Sequence, residues 1–101
     1  MTAPVDTFVP GNADYKVFED NSKIYAATLN QSNLGANNNK FYIIQVLEQK
    51  SNGNLFFWSR WGRVGVPGQN NLMGPLDKKQ AITSYEKKYK DKTKSGEYKE
   101  I

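Results

Sequence analysis

The sequence predicts an α+β fold, a twisted antiparallel sheet with one main helix packed across it, and three stretches carry that prediction. Phe41 to Gln49 is the longest apolar segment, and its Ile, Val and aromatic content over nine residues suits a central strand covered on both faces. Leu55 to Arg63 follows after Ser51-Asn52-Gly53-Asn54, so the two runs read as an antiparallel hairpin with Asn52-Gly53 as its turn signal. Asp77 then opens a segment whose apolar residues recur at helical spacing. A chain of 101 residues has room for one small domain built on one sheet.

Taken in order, residues 1 to 14 hold Pro4, Pro10 and Gly11 with little periodicity and read as a flexible tail or linker ahead of a domain at 15 to 101. Tyr15 to Glu19 and Lys23 to Leu29 alternate enough for two short strands around a turn at Asp20-Asn21-Ser22. Asn30 to Asn39 reads as a polar, Asn-rich loop, since Asn bonds its own backbone and tolerates left-handed conformations. On the strand Leu55 to Arg63, period two puts Leu55, Phe57, Ser59, Trp61 and Arg63 on one face and Phe56, Trp58 and Arg60 on the other. Phe56 and Trp58 are therefore the core candidates, while Trp61 and Arg63 point the same way at the strand's end. Val64 to Gly74, with Gly65, Pro67, Gly68 and Gly74, reads as a mobile loop or short strand. Asp77 with Gln80 three residues on makes a capping box, and Ala81, Ile82, Tyr85 and Tyr89 form the face that docks on the sheet. Lys79, Lys87, Lys90 and Lys94 fall mostly elsewhere and stay solvated.

Composition narrows the chemistry. The chain has no Cys and no His, so disulfides, thiolate catalysis and soft-metal sites are not expected, and neither metal nor cofactor is assigned. Acid-base work would fall to carboxylates, but Asp6, Asp14, Glu19, Asp20, Glu48 and Asp77 are scattered over turns, strand edges and a cap, which suits structural roles. The glycines at 62, 65 and 68 match neither the Walker nor the Rossmann spacing. No apolar run is long enough for a membrane span or a signal peptide, so no membrane partner is expected. Net charge is +4, and its distribution is uneven: residues 1 to 39 balance at −2, while 40 to 76 and 77 to 101 carry +3 each. A polyanion is the expected partner of the basic two thirds.

Within that basic region, Trp58-Ser59-Arg60-Trp61-Gly62-Arg63-Val64-Gly65, then Gly68-Gln69, gathers two indoles, two guanidiniums and three glycines. Arg offers a planar fork for phosphate, Trp a π-face for a sugar or base, and Gly a close approach of backbone to ligand. A free duplex end presents a terminal phosphate and an exposed last sugar and base, so both residue types suit it. Such binding should depend on the end and on salt, not on base order.

The order Arg60-Trp61-Gly62-Arg63-Val64-Gly65 with Gly68-Gln69 resembles the signature of the WGR domain of DNA-dependent poly(ADP-ribose) polymerases, and of their short, zinc-finger-lacking members most closely. Leu29 to Leu34 and Asn37 to Glu48 resemble that family's entry into its longest strand, and Ala81, Tyr85, Lys87, Lys88, Tyr89 and Lys92-Thr93-Lys94 its helix, so the likeness spans roughly 15 to 95. The resemblance implies that Trp61 packs on the terminal nucleotide, that Arg63 reaches the backbone beside a 5′ phosphate, that Asn39 and Lys40 join the same anion site, and that Gly62 admits close backbone approach. It implies a nuclear module that binds DNA breaks and touches helical regulatory and catalytic domains of a parent enzyme; a monomer is the default expectation in isolation. Catalysis would belong to that separate domain, with its NAD pocket, and not to these residues. Family members usually continue past the helix to a basic residue and a tyrosine that close the phosphate site; Tyr98 and Lys99 lie at shorter spacing and are not assigned to those roles. The same basic and aromatic residues also suit a generic polyanion or RNA binder, which would ignore duplex ends, or a protein-interaction module, whose affinity would depend only weakly on salt.

Overall fold

The computed structural model describes residues 3–32 and 39–101; within the Asn-rich loop, 33–38 lie outside the described residues, as do 1 and 2. Among the described residues a 3-10 turn at Asn12–Asp14 is followed by eight strands and one α-helix in the order β1 (Tyr15–Val17), β2 (Glu19–Asp20), β3 (Lys23–Ile24), β4 (Ala26–Gln31), β5 (Lys40–Gln49), β6 (Leu55–Arg63), β7 (Gln69–Leu76), α1 (Lys78–Thr93) and β8 (Lys99–Glu100). The main sheet is antiparallel in the order β7-β6-β5-β4-β8, and β1 pairs with the far end of β5 beside β4. This is the expected α+β architecture.

β5 is central for the reason the sequence suggested. Ile44, Val46 and Leu47 are fully buried, which a two-sided strand achieves only when both of its faces are covered. The turn is also where Asn52-Gly53 placed it: Gly53 takes φ 76°, the Asn54 amide donates to Asn52 Oδ1 at 2.9 Å, and Glu48 lies opposite Leu55. At the earlier turn Asn21 and Ser22 both take positive φ, joining β2 to β3. Asn30 and Gln31, expected in a loop, extend β4 against Phe41 and Lys40, because a paired strand satisfies their backbone groups as well as an Asn turn would.

α1 begins as its capping box requires, with the Gln80 amide donating to Asp77 Oδ1 at 2.8 Å and the Asp77 amide donating to Gln80 Oε1 at 3.1 Å. Its Ala81 and Tyr85 are buried against Tyr25, Ala27, Leu29, Tyr42, Ile44, Val46, Leu55 and Phe57, with Ile82 and Tyr89 packed beside them. That is one side of the sheet.

The other side is covered by the segment read from sequence as a tail. Val9 is 3% exposed and packs with Val17, Leu47 and Trp58, while Ala3 and Val5 pack alongside. Gln45, a buried polar residue on this face, donates from Nε2 to the Pro4 carbonyl at 3.0 Å and accepts from the Asp6 amide at 3.1 Å. The local sequence hid this because the segment has neither helical nor strand periodicity; its partners lie some forty to fifty positions downstream.

Val64 to Gly74 resolves into a loop followed by the strand β7, which pairs with β6 from Trp61↔Gln69 to Leu55↔Leu76. Backbone crowding explains two of the motif's three glycines. Gly68 takes φ 78°, and a Cβ there would stand 2.1 Å from the Trp61 carbonyl oxygen; a Cβ on Gly62 would stand 2.9 Å from the Gly68 Cα. The close approach that Gly62 permits in the structure is thus to this chain's own loop. Gly68→Ala is expected to destabilise the domain by roughly 2 to 3 kcal/mol, through the left-handed conformation and the clash together. Urea unfolding checks this, and an unfolding free energy within about 0.5 kcal/mol of the parent, the scale of a surface substitution, contradicts it.

Candidate nucleic-acid interface

Period two along β6 divides the Trp-Arg pairs between opposite sides of the sheet, and the two sides use them differently. On the side covered by the N-terminal segment, Trp58 is fully buried and its Nε1 donates to Asp6 Oδ2 at 2.9 Å. Arg60 donates from Nε to Asp6 Oδ2 at 2.7 Å, from Nη2 to Asp6 Oδ1 at 3.2 Å, and from Nη1 to the Pro67 carbonyl at 2.7 Å. Its guanidinium lies 4.3 Å from the Phe8 ring centre and 4.9 Å from that of Phe41. With three of its five N–H donors engaged and its ring-facing planes against Phe8 and Phe41, Arg60 is committed to holding the fold together. An open hollow of about 540 Å³ there is lined mostly by apolar residues, Phe8, Phe41, Ile43, Val64, Val66 and Pro67, with Arg60 and Asn30 at its wall.

Burial on its own raises the pKa of Asp6, but the hydrogen bonds from Arg60, Trp58 and the Phe8 amide, with the Arg60 charge, outweigh it and hold the carboxyl below its ordinary value. Its carboxylate is therefore committed to the ion pair at neutral pH.

On the helix side the remaining pair stays near solvent. Trp61 is half-buried and Arg63 exposed. Cross-strand register sets Lys40 opposite Arg63 and Tyr42 opposite Trp61, so all four side chains leave the same face at the same end of the β5-β6 pair. The indole stacks on the Tyr42 ring, centroids 5.5 Å apart and planes 11° from parallel, and Tyr98 meets Tyr42 edge-on at 6.1 Å. Burial raises the Tyr42 hydroxyl pKa, so it stays neutral at physiological pH. From α1, Lys92 Nζ stands 4.8 Å and Lys88 Nζ 5.8 Å from the Tyr42 ring centre.

Of the residues expected at the site, Trp61, Arg63 and Lys40 come together here. Asn39 sits one position before β5; its carbonyl accepts from the Val64 amide at 2.9 Å and its Oδ1 accepts from Ser32 Oγ at 3.2 Å, contacts that join the start of β5 to its surroundings. Gly62 turns its α-carbon toward Gly68 and Phe41 on the opposite side. Sequence reasoning missed Tyr42, Lys88 and Lys92 here and left Tyr98 unassigned. A signal for three of them was present: Tyr42 is two positions from Lys40 on a strand, and Lys88 and Lys92 are four apart on a helix.

A hairpin end bearing a stacked Tyr-Trp pair among four cations, beside one docked helix, defines an α+β domain with a cationic, aromatic face. The chain belongs to the WGR domain family, whose model matches residues 25–101. It is 49% identical over 94 residues to poly [ADP-ribose] polymerase 2 of Zea mays, covering 90% of this chain and 14% of that protein. It is 44% identical to poly [ADP-ribose] polymerase 2 of Homo sapiens, covering 93% and 16% of the two chains, and 46% identical to protein mono-ADP-ribosyltransferase PARP3 of Mus musculus, covering 83% and 15%. The chain thus spans about one seventh of the length of such relatives.

Proposed function

We propose that this domain binds DNA strand breaks and recognises a 5′-phosphorylated end, and that it regulates an ADP-ribosyltransferase catalytic domain elsewhere in its parent protein. One observation carries the binding part: Lys40, Arg63, Tyr42 and Trp61 leave one face at one end of the two longest strands. Arg63 and Lys40 supply charge for a terminal phosphate, and Trp61, backed by Tyr42, supplies a platform for the last sugar or base. Asn39 lies beside Lys40 and completes the polar rim, while Gly62 acts indirectly by letting the 64–68 loop fold under the site. The domain binds and does not catalyse; NAD chemistry belongs to the parent's other domain, and this domain needs no cofactor. Its partners are the DNA end and the helical regulatory and catalytic domains of the parent, in the nucleus, with a monomer as the state in isolation. The regulatory part rests on the likeness to polymerase 2 and PARP3.

Fluorescence polarisation with one short duplex, with and without a 5′ phosphate, at two salt concentrations, tests the binding part. The phosphate is expected to strengthen binding roughly tenfold, as a charge-assisted contact does, and Arg63→Ala to erase that gain. Equal affinity for both duplexes would leave a generic basic patch or a protein interface in its place.

A further inference from the structure

The helix lysines nearest the Tyr-Trp stack need an explanation that the end-binding residues do not supply. Lys88 and Lys92 are half-buried, sit four apart on one face of α1, and both direct their ammonium groups over a single ring, Tyr42; Lys92 also lies 5.9 Å from the Tyr98 ring centre. Among the described residues neither forms an ion pair with a carboxylate, although α1 does use Lys78 that way toward Asp20. Like charges at this helical spacing repel. The helix dipole favours Lys92, in the last turn, but does not reach Lys88, nor does it explain why both converge on one ring. Aromatic faces steer both lysines and leave their remaining donors to meet an anion.

Their position indicates which anion. Along β5, Lys40 and Tyr42 are two residues apart, about 7 Å at the rise of an extended strand. Lys40 pairs across with Arg63, and Tyr42 sits under the helix lysines. Two cationic stations therefore lie in line on one face, separated by roughly one nucleotide of backbone, with Trp61 beside them.

Resting on the end-binding function proposed above, we infer that Lys88 and Lys92 form a second phosphate subsite, which holds the phosphodiester next to the terminal phosphate taken by Arg63 and Lys40. The domain then grips two successive phosphates of one strand and sets the strand's direction across the Trp61 platform. Tyr42 is a positioning residue, holding the indole on one side and the ammonium groups near its ring.

The test is the salt dependence of binding to the 5′-phosphorylated duplex and to its unphosphorylated twin. The Lys88→Gln/Lys92→Gln variant is compared with a charge-matched control, Lys79→Gln/Lys87→Gln, at exposed positions of the same helix. Losing one phosphate contact is expected to lower the slope of log affinity against log salt by about 0.9, with about tenfold weaker binding at moderate salt. The control should keep the parent slope, and Lys88→Arg/Lys92→Arg should restore it. The gain from the 5′ phosphate should survive in all of them. An unchanged slope in the Lys88/Lys92 variant, or equal losses in variant and control, overturns the subsite. Since the slope and the phosphate gain are separate readouts, a parent domain indifferent to the 5′ phosphate overturns end recognition and, with it, the register assigned to this subsite, even where the slopes still show a backbone contact.

Discussion

Asp6→Ala is expected to cost the folded domain about 3 to 5 kcal/mol, the range for removing one partner of a buried ion pair. The carboxylate is 4% exposed and the Arg60 side chain 11%. Without Asp6, Arg60 keeps one contact to the Pro67 carbonyl, and the fully buried Trp58 loses the acceptor of its Nε1 proton. The backbone amide at position 6 can still donate to Gln45 and Val9 still packs with Leu47 and Trp58, so the loss falls on the ion pair and the Trp58 bond. Chemical denaturation of the two proteins measures the difference, and a loss below about 1 kcal/mol, the level of an exposed pair, would refute it. Acid sharpens the test. The folded pKa of Asp6 lies below its unfolded value, so its contribution is full above the unfolded value, near 4, and is lost as pH falls through the folded one. The gap in stability between the parent and Asp6→Asn should therefore be constant from pH 7 to about 5 and close at lower pH.

Trp61→Ala should weaken binding to a phosphorylated duplex roughly 5- to 150-fold, since one stacking partner contributes about 1 to 3 kcal/mol. Trp61→Phe should retain much of the affinity by keeping a ring on Tyr42. Because the indole also packs against the helix-side core, thermal unfolding must accompany the titration; binding that falls only in step with the folded fraction assigns Trp61 to the core. Placed in a full-length parent enzyme, Trp61→Ala should suppress activation by DNA breaks. Undiminished DNA-dependent activity there would remove the regulatory role.

Much of the fold was legible because it is written in short-range chemistry. Asn52-Gly53 accepts the backbone of a tight turn, Asp77 and Gln80 satisfy a helix start within one turn, and the apolar run of β5 specifies a strand covered on both faces. Alternation along β6 also separated Trp58 from Trp61 correctly, since period two is a property of any strand. Asp6 was legible only as one scattered carboxylate, and residues 3–14 only as an aperiodic segment, because their partners, Arg60, Trp58 and Gln45, are up to 54 positions away.

The site divides along the same line. By itself the sequence determined the α+β class, the hairpin, the helix start, membership of a family through its Trp-Gly-Arg motif, and Trp61, Arg63 and Lys40 as residues of one basic region. Only the tertiary structure decided that Arg60 is spent on Asp6 while Arg63 stays exposed, that Gly62 and Gly68 crowd each other, and that Lys88 and Lys92 gather over Tyr42. The reason is physical: turn chemistry, capping and periodicity act over a few bonds, whereas a salt bridge, a backbone clash or a cluster of charges exists only once distant segments have been packed into contact.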